Sequence, residues 1–269
     1  MNRTLLLGCS HTAGPYTPQD KIDYSNPGYA SLLADKFDCE WKMYSFPGDG
    51  LLAFSTTLKY LEIEGKLDSF DNIIIQLTSE PRMNIYSRWD GAMDFIMNTI
   101  DLPNPNNVVH TVHPRHRGIM KFSLVGRMLH ELYDSFFKIE KSEWIDVVNE
   151  VTQAEQAVPP IHEKQMLGLM TAVNNQSIKH ICTRHNITLH TFGWNAFHPA
   201  QLQEYKHTID DTYIFERGEL LTDIIKGRHG KEFLNTNITS SGEHAFPILS
   251  PIIAEIIYTR LISVGYSDF

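Results

Sequence analysis

The stretch Leu5-Leu6-Leu7-Gly8-Cys9-Ser10-His11-Thr12 decides how this chain is read. An apolar run closed by Gly-x-Ser reads as a buried strand that delivers a serine to its carboxyl end. In an open parallel sheet, that edge is where ligands bind. A serine hydroxyl is a poor nucleophile until a base takes its proton. A candidate base, His244, stands far along the chain, just before the last predicted helix. Taken alone, Ser10 also reads as a cap or an anion contact for the segment after it, and His244 as a structural histidine.

Outward from that turn, the pattern is strand and helix in alternation. Thr4–Gly8 is a buried strand. Tyr29–Phe37 is a helix with Ala30, Leu33, Ala34 and Phe37 on one face. Trp41–Phe46 is a second strand, ended by the Gly-rich turn Pro47-Gly48-Asp49-Gly50, and Leu51–Ile63 is helical by its apolar spacing. Ile73-Ile74-Ile75-Gln76-Leu77 is the clearest buried strand. Continuous apolar runs separated by helices argue for a parallel sheet with crossover helices. Lys164–His185 reads as a long amphipathic helix and Asn186–Gly193 as a fourth strand. Asp211–Phe215 reads as a fifth, weaker strand. Ser250-Pro251 is the expected N-cap and first turn of a closing helix, Ile252–Ile262. Residues 83–160 are too long for a simple crossover. They read as an insertion or lid over the carboxyl edge of a single domain, residues 1–269, with a helical stretch near Phe122–Val151.

The 269 residues are 42% hydrophobic and 20% charged, which suits one α/β domain with a substantial core. A formal charge of −9 argues against a nucleic-acid partner. Three scattered cysteines (Cys9, Cys39, Cys182) form neither a disulfide framework nor a zinc knuckle. No stretch approaches a membrane span, and the first leucines are too few for a secretion signal. A cytoplasmic protein without a membrane partner is the expectation.

Other residues invite chemistry less directly. Cys9 points away from Ser10 along the chain and reads as core. His110, His113 and His116, with Arg115 and Arg117, form a basic loop in which Pro114 breaks helical ligand geometry. The reading is a surface loop, with an anion-contacting lid as the functional alternative. Trp194, Phe197 and His198 follow the fourth strand and either pack or floor a pocket. Asp210-Asp211 reads as a solvated loop. No metal site is expected.

The turn, the glycine after the second strand and the late histidine together resemble the SGNH (GDSL-type) hydrolase family, with this chain as a divergent member. That family carries its nucleophilic serine in Gly-Asp-Ser after the first strand; here the residues are Gly8-Cys9-Ser10. Its second block supplies an oxyanion donor from a glycine N–H, and Tyr44-Ser45-Phe46-Pro47-Gly48 fits, with Gly48 as donor. Its last block sets a histidine before the final helix, matched by His244 with Ile253-Ala254 beyond it. Two blocks depart. The family's Gly-x-Asn-Asp is replaced by Gln76-Leu77-Thr78-Ser79-Glu80-Pro81-Arg82, with Glu80 about where the asparagine belongs. An ionised carboxylate cannot donate, so Thr78, Ser79 or Arg82 would substitute. Thr-Ser with a nearby arginine is a feature of divergent, often phage-encoded, relatives. The family's aspartate, three residues before the histidine, is Ser241 here, leaving Glu243, a backbone carbonyl or a distant aspartate to orient the ring.

The resemblance implies a three-layer α/β/α sandwich with a mostly parallel five-stranded sheet, flavodoxin-like, with a helical insertion. It implies a serine esterase or deacylase acting on a small or carbohydrate-linked ester, with no cofactor. Ser10, His244, Gly48, Thr78, Ser79 and Glu243 would carry the reaction, and His11, Asp49, Arg82 and Trp194 would meet the substrate. The alternative is a binding module that kept the pocket and lost the chemistry, taking a glycan, nucleotide or protein. Phosphoryl chemistry on the Gly-rich turns and basic loop is a third reading.

Overall fold

The computed structural model describes residues 3–19, 21–23, 25–37, 40–45, 50–77, 82–86, 119–123, 163–194, 211–216, 219–240 and 244–266. The first half of the chain runs β1 (Arg3–Gly8), α1 (Ser10–Ala13), α2 (Tyr29–Phe37), β2 (Glu40–Ser45), α3 (Leu51–Ile63), β3 (Asn72–Leu77), β4 (Arg82–Tyr86) and β5 (Ile119–Ser123). It continues with α4 (Glu163–Arg184), β6 (Thr188–Gly193), α5 (Leu221–His229), α6 (Lys231–Thr236) and α7 (Ser250–Ser263).

β1 and β3 are buried along almost their whole length because helices cover both faces of the sheet. The sheet is parallel and ordered β2-β1-β3-β6, with Leu6 opposite Met43 on one side and Ile74 on the other. Side chains alternate between two cores. Leu6, Trp41, Met43, Ile74 and Phe192 meet α2, α5 and α7 on one face. Leu5, Leu7, Tyr44, Ile73, Ile75 and Leu77 meet α3 and α4 on the other. Full burial of a leucine or isoleucine side chain contributes about 1.5–3 kcal/mol, so these triple-aliphatic strands anchor both cores at once.

The order of the strands positions the site. From β1 the chain moves outward to β2, then crosses back over β1 to β3. The order reverses between β1 and β3, which is where a crevice opens at the carboxyl ends of such a sheet. Ser10 follows β1 at that point.

The α/β architecture matches the expectation, with four strands in the parallel sheet among the described residues in place of five. Asp211–Phe215 contributes one parallel bridge, Thr191 to Tyr213. The ladder stops there because the Gly193 N–H donates to the Tyr213 phenol at 3.0 Å, and that phenol donates to the Glu219 carbonyl at 2.7 Å. A side chain takes the place of the backbone acceptor a strand would offer. Ser250 is likewise not a cap. The turn Pro247–Leu249 runs directly into α7, so Ser250 is already helical and Leu249 precedes it in helical geometry.

Within the stretch read as an insertion, β4 and β5 pair antiparallel, Met83 opposite Phe122. Phe122 is therefore in a strand, where the sequence suggested the start of a helix; Leu124–Val151 lies outside the described residues. α5 and α6 were not anticipated. Among the described residues, no helix is long and apolar enough to cross a membrane.

Candidate active site

Ser10 is set by a turn with no spare room. β1 ends at Gly8, Cys9 is extended, and Ser10 opens α1. A Cβ on Gly8 would lie 2.0 Å from Thr12 Oγ1, so only glycine lets the turn fold back this tightly. Thr12 donates to Gln76 Oε1 at 2.7 Å. With its single proton committed there, Thr12 accepts from the Tyr29 hydroxyl at 2.7 Å. The Cys9 N–H also donates to Gln76 Oε1, at 3.4 Å. Burial pushes the Tyr29 phenol well above its ordinary range, which keeps it protonated and donating. A hydrogen-bonded chain from α2 to β3 thus clamps the turn on both sides of Ser10.

His244 is set by backbone. Its N–H donates to Thr239 Oγ1 at 3.2 Å, and its carbonyl accepts from the Thr239 N–H at 2.8 Å. The next residue, Ala245, bridges to Ile238 and accepts from the Tyr16 N–H at 2.8 Å. His244 is half-buried, and its Nε2 lies 2.9 Å from Ser10 Oγ. With Nε2 unprotonated, this is the contact through which an imidazole takes up a serine proton.

Rings surround that pair. Tyr16 stacks on His244 with centroids 4.0 Å apart and planes 8° apart. His11 lies tilted against His244 at 4.8 Å and stacks on Trp194 at 4.8 Å. Trp194 is buried, and its Nε1 has no hydrogen-bond partner among the described residues.

Of the residues singled out in the sequence, Ser10, His11, Trp194 and His244 come together. Arg82 opens β4, and only its backbone is described. Gly48, Asp49, Thr78, Ser79, Glu80, Ser241 and Glu243 lie outside the described residues, as do the loop His110–Arg117, Phe197, His198 and Asp210. Cys9 is buried, with Sγ 3.4 Å from Gln76 Oε1. Asp211 is exposed and pairs with Lys179, as a solvated loop residue would. Sequence reasoning passed over Tyr16, Thr12, Tyr29 and Gln76. Gln76 carried a signal: it is the one polar residue among the five of Ile73-Ile74-Ile75-Gln76-Leu77, and a buried polar group must find a partner.

No family model and no curated protein matches the chain. Among solved structures it is similar to the lipase Lip_vut3 from a goat rumen metagenome, at 11% identity over 99% of each chain with a TM-score of 0.47. It is also similar to the psychrotrophic esterase EstA from Pseudoalteromonas, at 12% identity over 98% of each chain with a TM-score of 0.46. TesA matches at 11% identity over 98% of this chain and 99% of its own, with a TM-score of 0.45. These are likenesses of fold.

Proposed function

We propose that the protein is a serine hydrolase of ester bonds, a divergent relative of the SGNH hydrolases. The observation that supports this is the 2.9 Å contact between Ser10 Oγ and His244 Nε2 at the carboxyl edge of a parallel sheet. A binding module needs no such hydroxyl–imidazole pair.

On this reading, Ser10 Oγ attacks the acyl carbon as its proton passes to His244 Nε2. The carbonyl electron pair moves onto oxygen. Collapse of that oxyanion breaks the bond to the alcohol oxygen, which leaves with the proton from Nε2. Water then attacks the acyl-serine, giving its proton to Nε2, and Ser10 departs with that proton as the acid is released. The N–H groups of Ser10 and Gly48 are the candidates to receive the oxyanion, helped by a side chain from Thr78, Ser79 or Arg82. Such donors typically lower the barrier by about 3–4 kcal/mol each. Glu80, which cannot donate while ionised, has no part in binding the oxyanion on this reading, and Glu243 is the candidate to orient His244. His11, Asp49, Arg82 and Trp194 are the candidates to meet a small or carbohydrate-linked ester. These steps balance without a cofactor.

The test is a fluorophosphonate probe followed by intact-mass and peptide mapping. One adduct on Ser10 is expected in the folded protein, with turnover of short p-nitrophenyl esters. The absence of both overturns the reading.

A further inference from the structure

A base that accepts the Ser10 proton becomes an imidazolium, and the groups against its ring decide how readily that charge forms. The side chain lying flat on His244 is Tyr16, with ring centroids 4.0 Å apart and planes within 8°. A cation over the face of an aromatic ring is attracted by the ring's negative quadrupole, most strongly where water is excluded. Tyr16 is 5% exposed. Its backbone is tied to the same segment as the histidine, through the 2.8 Å bond from Tyr16 N–H to the Ala245 carbonyl. Ring and imidazole are therefore registered by the main chain as well as by their own contact.

We propose that Tyr16 is the positioning residue of this site: its ring face holds the His244 imidazole toward Ser10 and stabilises the imidazolium that forms as Ser10 is deprotonated. The inference rests on the hydrolase reading for its role in turnover, but the ring interaction exists without substrate. Among the described residues, the titratable side chains whose rings lie against His244 are Tyr16 and, from α1, His11, whose tilted ring lies at 4.8 Å. Protonated His11 would oppose the imidazolium, and an electron-rich face on Tyr16 favours it. The phenol oxygen has no part in this account, only the π face.

The experiment separates shape from electrostatics at position 16. Tyr16→Phe keeps both ring and face. Replacement of Tyr16 by pentafluorophenylalanine keeps the ring outline and reverses the sign of its face. For each protein the His244 imidazole is titrated by NMR, its resonance assigned by its loss in His244→Ala. Activity is followed as kcat and KM against pH on a p-nitrophenyl ester. Tyr16→Phe is expected to titrate and turn over like the wild type. The fluorinated ring is expected to lower the His244 pKa by about one unit. It should carry the acid limb of kcat down by the same amount and reduce kcat about tenfold with KM unchanged. Equal His244 pKa values for the two rings overturn the proposal, as does a Tyr16→Phe protein as impaired as the fluorinated one. A purely structural role moves neither the titration nor the acid limb. If the wild type takes no fluorophosphonate and hydrolyses no ester, the hydrolase reading falls. The NMR titration still decides the ring interaction.

Discussion

Two histidines, His244 and His190, show how one side chain is given opposite roles by its surroundings. His244 stands at the carboxyl edge of the sheet, half-buried, with Nε2 on the Ser10 hydroxyl. His190 stands in the middle of β6, opposite Ile74, 6% exposed and tilted against Tyr266. Its Nε2 has no partner among the described residues. Burial pushes the His190 imidazole down to about 4, so it is a neutral core residue at ordinary pH. The lesson is that composition does not mark a base. A base needs a partner whose proton it can take and a way to carry the resulting charge; on the proposed reading His244 has the first in Ser10 and the second in the face of Tyr16.

The sharpest break in this comparison is Ser10→Ala. It removes the partner and leaves both histidines in place. Loss of ester turnover on the order of 10^6-fold is expected, with an unchanged thermal melt. Wild-type turnover in that variant would make His244 as structural as His190.

Acid tests the other half. Below the ordinary imidazole value of 6.5, the unfolded chain binds a proton that folded His190 refuses until about 4. The unfolded state is favoured across that window, so stability falls as pH drops from 6.5 to 4 and levels off below it as far as this group is concerned. The loss is about 3 kcal/mol at most. Urea melts at pH 7, 5.5 and 4 should show it in the wild type and lack it in His190→Leu. Parallel curves for the two proteins would mean that His190 is protonated in the fold.

The clamp on Ser10 comes next. Gln76→Leu takes the acceptor from the buried Cys9 N–H and leaves the Thr12 hydroxyl with Tyr29 alone, an expected cost of about 2 kcal/mol. Because these groups hold the serine turn, kcat should fall as well. A loss of stability without a loss of rate would reduce the network to core packing. The smallest effect is Tyr29→Phe, which removes the outer member of the chain and leaves Thr12 bonded to Gln76. About 1 kcal/mol is expected by chemical denaturation, with turnover nearly unchanged.

Much of the fold was legible. α2 and α3 have the bounds that their apolar spacing suggested, and β1 and β3 announce themselves as unbroken aliphatic runs. The fifth strand was not legible, because what stops it is a phenol on Gly193, a contact invisible in the local pattern of Asp211–Phe215. The N-cap at Ser250 misled for a similar reason: the preceding turn is already helical. In the site, Ser10 and His244 stood out by their places at the ends of recognisable elements. Tyr16 did not, since a ring stacked across the whole length of the chain leaves no spacing to read. Gln76 did leave a mark, one amide among aliphatics.

Ser10 and His244 are 234 residues apart in sequence, and the first and last parts of the chain meet only in the finished fold. During synthesis, domains form as their segments emerge. A nascent chain therefore carries the serine 234 residues before it acquires the histidine. Any chain halted before His244 is made holds the Ser10 hydroxyl without the imidazole that meets it in the fold. On the hydrolase reading, activity would therefore switch on only when the segments carrying Ser10 and His244 close on each other, and a fragment lacking either segment would not have it.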